Sequence, residues 1–204
     1  MVNDLLIQEQ YEELRARFDR LNLQKCDDGQ WHIQGILGFS AEYSGQCIED
    51  EYSIEIMVPD DYPKMLPGTR ETANRIPTDF HRNKDETLCL GAPLAVRAKF
   101  EEEPTLRGYI TNCLIPFLYS FSYKCQYGNM PFGELSHGGK GILEYYRELF
   151  HLDDDRAILR LIRLLAEDKY RGHLSCPCGS GKRLRSCHGS KLLEIKKLQK
   201  PSDF

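Results

Sequence analysis

The sequence lacks long apolar runs, a secretory signal and internal repeats. It contains no uninterrupted apolar stretch of about 18 residues, so we predict no membrane-spanning helix. The first residues, Met1 to Asp4, do not form the basic and then apolar segment of a signal peptide. Apolar residues still make up 41% of the chain, enough for a packed core. We therefore expect a cytoplasmic protein with no membrane association.

Cysteine is too sparse for a disulfide scaffold, because eight cysteines are spread over 204 residues. In a reducing compartment such residues are thiols, metal ligands or nucleophiles. Three of them cluster within residues 176–187. The other five are scattered: Cys26, Cys47, Cys89, Cys113 and Cys125.

Charge is unevenly distributed along the chain. The net charge is −4, but residues 171–204 carry +6 and residues 1–170 carry −10. This contrast predicts two parts, a body over 1–170 and a basic tail over 171–204. The acidic body argues against nucleic acid as a partner of the whole chain. Nucleic-acid binding by the tail alone is a third and weaker hypothesis, which predicts strong salt dependence.

Hydrophobic periodicity indicates the α+β class. The spacing of apolar residues predicts an amphipathic helix over 4–22. Alternating apolar and polar residues predict strands over 31–39 and 52–58, with a middle strand within 42–47. Helical patterns return over 105–170. The expected order is an N-terminal helix, an antiparallel meander and C-terminal helices.

Four metal-binding side chains lie within 13 residues near the end of the chain: Cys176, Cys178, Cys187 and His188. Thiolate and imidazole are preferred zinc ligands, and a structural zinc ion takes four of them in a tetrahedron. The Gly179–Gly181 turn between the two pairs gives the chain freedom to wrap one ion. The alternative is a tail with unrelated thiols, but the density of ligands favours a structural Zn²⁺ site.

The same segment reads Cys-Pro-Cys-Gly-Ser-Gly-Lys and ends in Cys-His-Gly at 187–189. It resembles the SEC-C motif, a zinc knuckle first noted at the end of the secretion motor SecA and found appended to many bacterial proteins. The resemblance implies that these three cysteines and the histidine are the ligands. It also implies that the basic knuckle docks onto a partner and does no chemistry.

A second candidate site surrounds Cys89, which follows His81 by a short span in a segment without regular periodicity. In a cytosolic enzyme such a cysteine is a candidate nucleophile. Its position between Leu88 and Leu90 also fits a small buried core residue. The pattern alone leaves both interpretations open.

The order of short motifs narrows this choice. Residues 58–63 read Val-Pro-Asp-Asp-Tyr-Pro, residues 81–83 read His-Arg-Asn, and residues 88–90 read Leu-Cys-Leu. This order resembles the ubiquitin-conjugating (E2) fold, in which a His-Pro-Asn signature precedes the thioester-forming cysteine. Arg82 stands where eukaryotic members have proline. The resemblance covers roughly residues 1–150 and points to prokaryotic E2-like proteins of anti-phage and ubiquitin-like conjugation operons.

The resemblance implies roles for individual residues. Cys89 would form a thioester with the C-terminus of a partner protein and pass the acyl group to an amine. Asn83 matches the signature asparagine, which holds the loop or stabilises a developing oxyanion. His81 matches the signature histidine, mainly a structural residue of the loop.

Other polar residues near this segment are weaker candidates. Asp85 or Glu86 could help deprotonate the incoming amine, although a solvated acidic loop explains both residues better. His137, in a loop rich in turn residues, could face Cys89 or serve only loop structure.

The implied partner is a protein conjugated through its C-terminus, either a nucleotidyltransferase that makes cyclic nucleotides or a ubiquitin-like protein. The motifs include no adenylating domain, so a separate E1-like activator or a pre-activated substrate is implied. The alternative function is a non-catalytic E2-like binding or scaffold module with a docking tail, in which Cys89 only packs. Exposure of Cys89 distinguishes the two, because a catalytic thiol must be reachable.

Overall fold

The computed structural model describes residues 2–27, 29–131 and 139–199. It has an α+β architecture with one four-stranded antiparallel sheet and several helices, which confirms the expected α+β class. No helix within the described ranges is both long and apolar enough to cross a bilayer.

The chain divides into two compact units. The first comprises Met1–Gly91 and Lys99–Glu134, and the second comprises Ala92–Ala98 and Leu135–Phe204. The division into residues 1–170 and 171–204 as domains stays a prediction.

The sheet of the first unit contains four strands in sequence order. These are β1 (Leu21–Lys25), β2 (Trp31–Tyr43), β3 (Gln46–Val58) and β4 (Gly68–Glu71), and each neighbouring pair is antiparallel. Buried and more exposed side chains alternate along β3, because one face of the strand packs on the core and the other does not. The members of the buried set are Tyr52, Ile54, Ile56 and Val58, each 1% exposed.

The two long strands form a single hairpin. Ile33 lies opposite Ile56, and Leu37 lies opposite Tyr52, so apolar side chains meet across the pair. The turn falls at Ser44 and Gly45, both with positive φ. The prediction of a separate middle strand within 42–47 is therefore wrong, because the end of β2, this turn and the start of β3 occupy that range.

The N-terminal helix α1 (Val2–Arg15) is shorter than the predicted helix over 4–22. Phe18 and Leu21 continue the apolar spacing and are buried, but they lie beyond the helix. Leu21 instead starts β1 and pairs with Gly35 of β2. Strand pairing has overridden the helical pattern here, so the predicted C-terminal end of the helix is wrong.

Helices follow the Cys89 region along the chain. They are α2 (Pro93–Glu102), α3 (Leu106–Gly108), a π-helical segment (Tyr109–Leu114) and α4 (Ile115–Tyr127). Pro116 lies in the first turn of α4, where its missing N–H costs little. Sequence analysis missed α2 and β4, since neither shows a strong periodic pattern.

The second unit contains three further helices, α5 (Gly139–Phe150), α6 (Asp155–Ala166) and α7 (Gly189–Leu198). The Asp154 side chain caps α6 by accepting the Arg156 N–H at 3.0 Å. One hydrophobic core joins these helices with the residues around the Cys/His group. Its buried members are Leu94, Tyr146, Phe150, Ile158, Leu161, Leu165, Cys176, Leu184, Leu192 and Ile195.

Candidate functional site

A short antiparallel pairing builds the scaffold of the Cys/His group. The Cys176 N–H donates to Lys182 O at 2.9 Å, and the Leu184 N–H donates to Leu174 O at 2.8 Å. The intervening turn contains Gly179 and Gly181, both in the left-handed region that glycine adopts without strain. The pairing therefore folds the chain back on itself and carries the second ligand pair to the first.

The four predicted ligands come together as expected. One donor atom from each of Cys176, Cys178, Cys187 and His188 lies within 4.8 Å of all the others. His188 Nδ1 is 3.2 Å from Cys176 Sγ and 3.3 Å from Cys187 Sγ, and the sulfurs of Cys178 and Cys187 are 3.5 Å apart. Tetrahedral bonds of ~2.3 Å place neighbouring sulfurs ~3.8 Å apart. The group can therefore hold a metal ion.

The orientation of His188 is set by the end of α5. Its Nε2 lies 3.0 Å from Phe150 O, which can only accept a hydrogen bond. The ring therefore carries its proton on Nε2 and keeps the Nδ1 lone pair for the metal side. The Phe150 ring also packs edge-on against the imidazole, with centroids 5.9 Å apart. In metal sites, a hydrogen bond from the ring N–H that faces away from the metal fixes the tautomer of the histidine ligand.

The cysteines of this group have divergent acidities. Burial opposes ionisation of Cys178, but hydrogen bonds from the Ser180 side chain and backbone outweigh it and lower the pKa of Cys178 to about 6. Burial raises the pKa of Cys176 to about 11. Ser180 Oγ lies 3.1 Å from Cys178 Sγ and 3.4 Å from Cys187 Sγ. Sequence analysis treated Ser180 only as part of a flexible turn and missed this contact.

Close packing continues into α7 immediately after the ligands. A Cβ on Gly189 would lie 2.7 Å from Leu184 O and 2.7 Å from the Tyr170 hydroxyl. Only glycine fits at this position without a shift of the backbone. The Cys/His group is thus continuous with the core of its unit.

The segment that carries Cys89 is a tight hairpin at the edge of β4. The Cys89 N–H donates to His81 O at 2.7 Å, and the Asn83 N–H donates to Thr87 O at 2.8 Å. Leu88 links the hairpin to the sheet by donating its N–H to Thr69 O at 2.7 Å. Backbone pairing therefore fixes the position of Cys89 relative to β4.

Polar side chains close the tip of this hairpin. The Asn83 amide donates to Thr87 Oγ1 at 2.9 Å, and Thr87 Oγ1 donates to an Asp85 carboxylate oxygen at 2.6 Å. The Thr87 N–H donates to the same carboxylate oxygen at 3.1 Å, and the two bonds from Thr87 lower the pKa of Asp85. Arg70 donates to the Asp85 carbonyl from outside the hairpin, at 2.9 Å. Asn83 and Asp85 thus hold the loop in this structure.

His81 contributes to the hairpin through its backbone and its ring. Its carbonyl accepts the bond from Cys89, and its φ of 42° places it in the left-handed region. The imidazole packs edge-on against Phe80 and Phe117, with ring centroids 4.8 and 6.4 Å away. His137, the other histidine considered for this site, lies outside the described residues.

Cys89 is half-buried, and its Sγ lies 4.0 Å from Gly91 O. Cys113 offers a contrast, since it is 4% exposed and burial raises the pKa of its thiol to about 11. Cys47 and Cys125 are exposed. Cys26 is half-buried too, and its backbone bonds to Gln30 and Gly29, so partial access alone does not distinguish Cys89; the link of the Cys89 hairpin to β4 does.

No protein-family model and no curated protein matches the chain. The function therefore has to be inferred from the residues of the chain itself. Two features are available for that inference, the Cys/His group of the second unit and the Cys89 hairpin of the first.

Proposed function

We propose that this chain is an E2-like acyl-carrier enzyme. Cys89 forms a thioester with the C-terminal carboxyl group of a partner protein and passes the acyl group to an amine. The observation that carries the proposal is the placement of a half-buried thiol on a tight hairpin at the edge of the antiparallel sheet. His81 and Asn83 lie in the same hairpin.

The order of elements supports a ubiquitin-conjugating-type fold for residues of the first unit. A helix precedes a four-stranded antiparallel sheet, and the Cys89 hairpin and further helices follow. Tyr62, in the segment that resembles the family's Tyr-Pro motif, is 3% exposed and donates to Gln10 Oε1 at 2.6 Å. That motif thus has a packed role between the sheet region and α1.

The chemistry is a pair of acyl transfers. The Cys89 thiolate attacks a carboxyl carbon activated as an acyl adenylate, the C–S bond forms, and AMP leaves. An amine then attacks the thioester carbonyl, the C–N bond forms, and the thiolate leaves while the amine proton passes to solvent. Cysteine suits both steps because thiolate is a good nucleophile and a good leaving group. A separate E1-like activator would supply the adenylate.

We further propose the partner class and setting. The conjugated protein would be a cyclic-nucleotide-synthesising nucleotidyltransferase or a ubiquitin-like protein of a bacterial anti-phage operon. The support is the resemblance of the 58–63, 81–83 and 88–90 segments to prokaryotic E2-like proteins.

The Cys/His group would hold one structural Zn²⁺ in a SEC-C-like knuckle. Three thiols and one imidazole are a donor set that zinc favours, and four protein ligands leave no position for a reacting water. The zinc would supply folding energy and no catalytic step. Exposed Arg183 and Arg185 beside it would serve docking to an acidic partner.

Substitution of Cys89 tests the proposal. With an activated partner, the wild-type protein should form an adduct that reductant cleaves. Cys89→Ala should form no adduct, although its unfolding transition should match that of the wild type. Cys89→Ser should trap a more stable oxygen ester, because alkoxide is a poorer leaving group than thiolate. Cys125→Ser, which removes an exposed thiol elsewhere, is the matched control and should retain the adduct.

The competing function is a non-catalytic binding module. It is favoured by one observation, the engagement of the Asn83 amide with Thr87, which leaves that amide occupied within the loop. A protein that captures its partner equally well with Cys89→Ala and never forms a reductant-sensitive adduct would establish the binding function instead.

A further inference from the structure

A buried carboxylate organises the segment that follows β4. Glu71, the last residue of that strand, is 3% exposed. Its carboxylate accepts the backbone N–H groups of Ala73, Arg75 and Ile76 at 2.8, 2.7 and 3.1 Å. Three charge-assisted bonds to one group fix the backbone over 72–76.

Arg82 reaches the same place from the other side. Its side chain is 8% exposed, and Nη2 lies 2.5 Å from Ile76 O and 3.6 Å from Glu71 Oε2. Within residues 2–27, 29–131 and 139–199, no other cation lies within ion-pair distance of Glu71. Removing one partner of such a pair leaves an uncompensated buried charge, which is strongly unfavourable.

The backbone of Arg82 forms the base of the Cys89 hairpin. It pairs with Leu88 in an antiparallel bridge, directly beside the hydrogen bond from the Cys89 N–H to His81 O. The Leu88 N–H in turn donates to Thr69 O in β4. One arm of the hairpin is thus tied to β4 through its backbone, and the other arm is tied to the end of β4 through the Arg82 side chain.

We infer that Arg82, held by Glu71, is a positioning residue for the Cys89 thiol. It sets where the hairpin carries the sulfur, and it does not touch the reacting atoms. Arg82 occupies the position where the resembled family has proline, which restrains the chain through its own φ and the backbone of the residue before it. Here an ion pair and a hydrogen bond to Ile76 O provide the restraint. The consequence for acyl transfer rests on the function proposed for Cys89, but the restraint itself does not.

The test measures both access to Cys89 and transfer through it. Full-length, metal-loaded protein is treated with iodoacetamide, and alkylation of Cys89 is quantified by mass spectrometry relative to exposed Cys47 in the same sample. Arg82→Met should raise this ratio about fivefold or more, because local opening exposes the half-buried thiol. Thioester formation should fall by about tenfold or more, since small misplacement of a reacting group is costly.

Four further variants, Glu71→Gln alone among them, keep the inference falsifiable. The double variant Glu71→Gln/Arg82→Met should raise the alkylation ratio of Cys89 to Cys47. The increase should be smaller than the product of the increases in the two single variants, because the two residues act as a pair. Arg75→Met removes the arginine of another ion pair in this unit, with Asp50, and should leave the ratio within about twofold. Arg82→Gln keeps an amide donor without charge and replaces Arg82→Met if that variant does not fold.

The outcomes separate this inference from the proposed function. A wild-type alkylation ratio in Arg82→Met, whether or not the variant is less stable, overturns the positioning role. A raised ratio with unimpaired thioester formation overturns it equally. Absence of any thioester in the wild-type protein overturns the proposed function, whereas the alkylation ratio still decides whether Arg82 holds the Cys89 hairpin.

Discussion

Removal of the zinc ion proposed for the Cys/His group should unfold far more than the knuckle that contains it. The group shares one core with α5, α6 and α7, and its own Cys176 is 4% exposed within that core. His188 also bonds the last residue of α5 through Phe150 O. We therefore predict that chelation releases these helices together with residues 171–188.

The magnitude follows from the side chains that the knuckle and α7 contribute to the core. Leu184, Leu192 and Ile195 are 2%, 0% and 2% exposed. Burial of such a side chain contributes ~1.5–3 kcal/mol, so the three together contribute roughly 5–9 kcal/mol. That lies within the range of stability of a whole small domain, ~5–15 kcal/mol. Structural zinc in small peptides supplies ~10–16 kcal/mol, so its loss cannot be absorbed by the remaining contacts.

Hydrogen exchange with mass spectrometry, with and without chelator, measures this directly. Protection should fall in α5, α6 and α7 after chelation, while β2 and β3 serve as an internal reference and stay protected. Cys176→Ser should reproduce the effect without chelator, and Cys125→Ser should not. If protection is lost only over residues 174–188 and α5 and α6 stay protected, the reasoning from the shared core is refuted.

Two further predictions concern the first unit. Burial opposes ionisation of Asp50, but hydrogen bonds from Arg75 among others outweigh it and lower the pKa of Asp50 to about 2. The stabilisation of the folded state by this carboxylate is therefore fully present above the ordinary pKa of 3.8. It is lost as the pH falls from 3.8 toward 2. Asp50→Asn should therefore lower the free energy of unfolding, measured in urea at pH 7. It should also reduce the loss of that free energy as the pH falls below 4. The same dependence on pH in the variant and the wild type would contradict this. Gly35→Ala should destabilise by ~1–3 kcal/mol in thermal unfolding, because φ is 145° and a Cβ would lie 2.1 Å from Arg20 O. Gly45→Ala, at a φ of 79° and in open space, should be milder because a Cβ there meets no atom within 4 Å; equal losses would contradict a cost from the clash.

The clustering of the Cys/His group was predictable because its information is local. Four ligands fall within 13 residues, and glycines at 179 and 181 supply the turn that joins them. Strand β3 was predictable for a similar reason, since its alternate apolar residues report directly on a sheet with one buried face. The boundaries of α1 and the existence of α2 and β4 were not, because packing against distant residues decided them.

The sequence by itself determined which chemical groups are present, their spacing and the periodicity of the strongest elements. Only the tertiary structure decided which partners those groups meet. Arg82 looked like a departure from a signature, and its pairing with buried Glu71 depends on how the chain returns to the end of β4. The proton of His188 is placed by a carbonyl 38 residues earlier, at Phe150. Both contacts join groups that are distant in sequence. The sequence does not reveal such partners, because every residue has a backbone carbonyl and many have a carboxylate that could accept the bond.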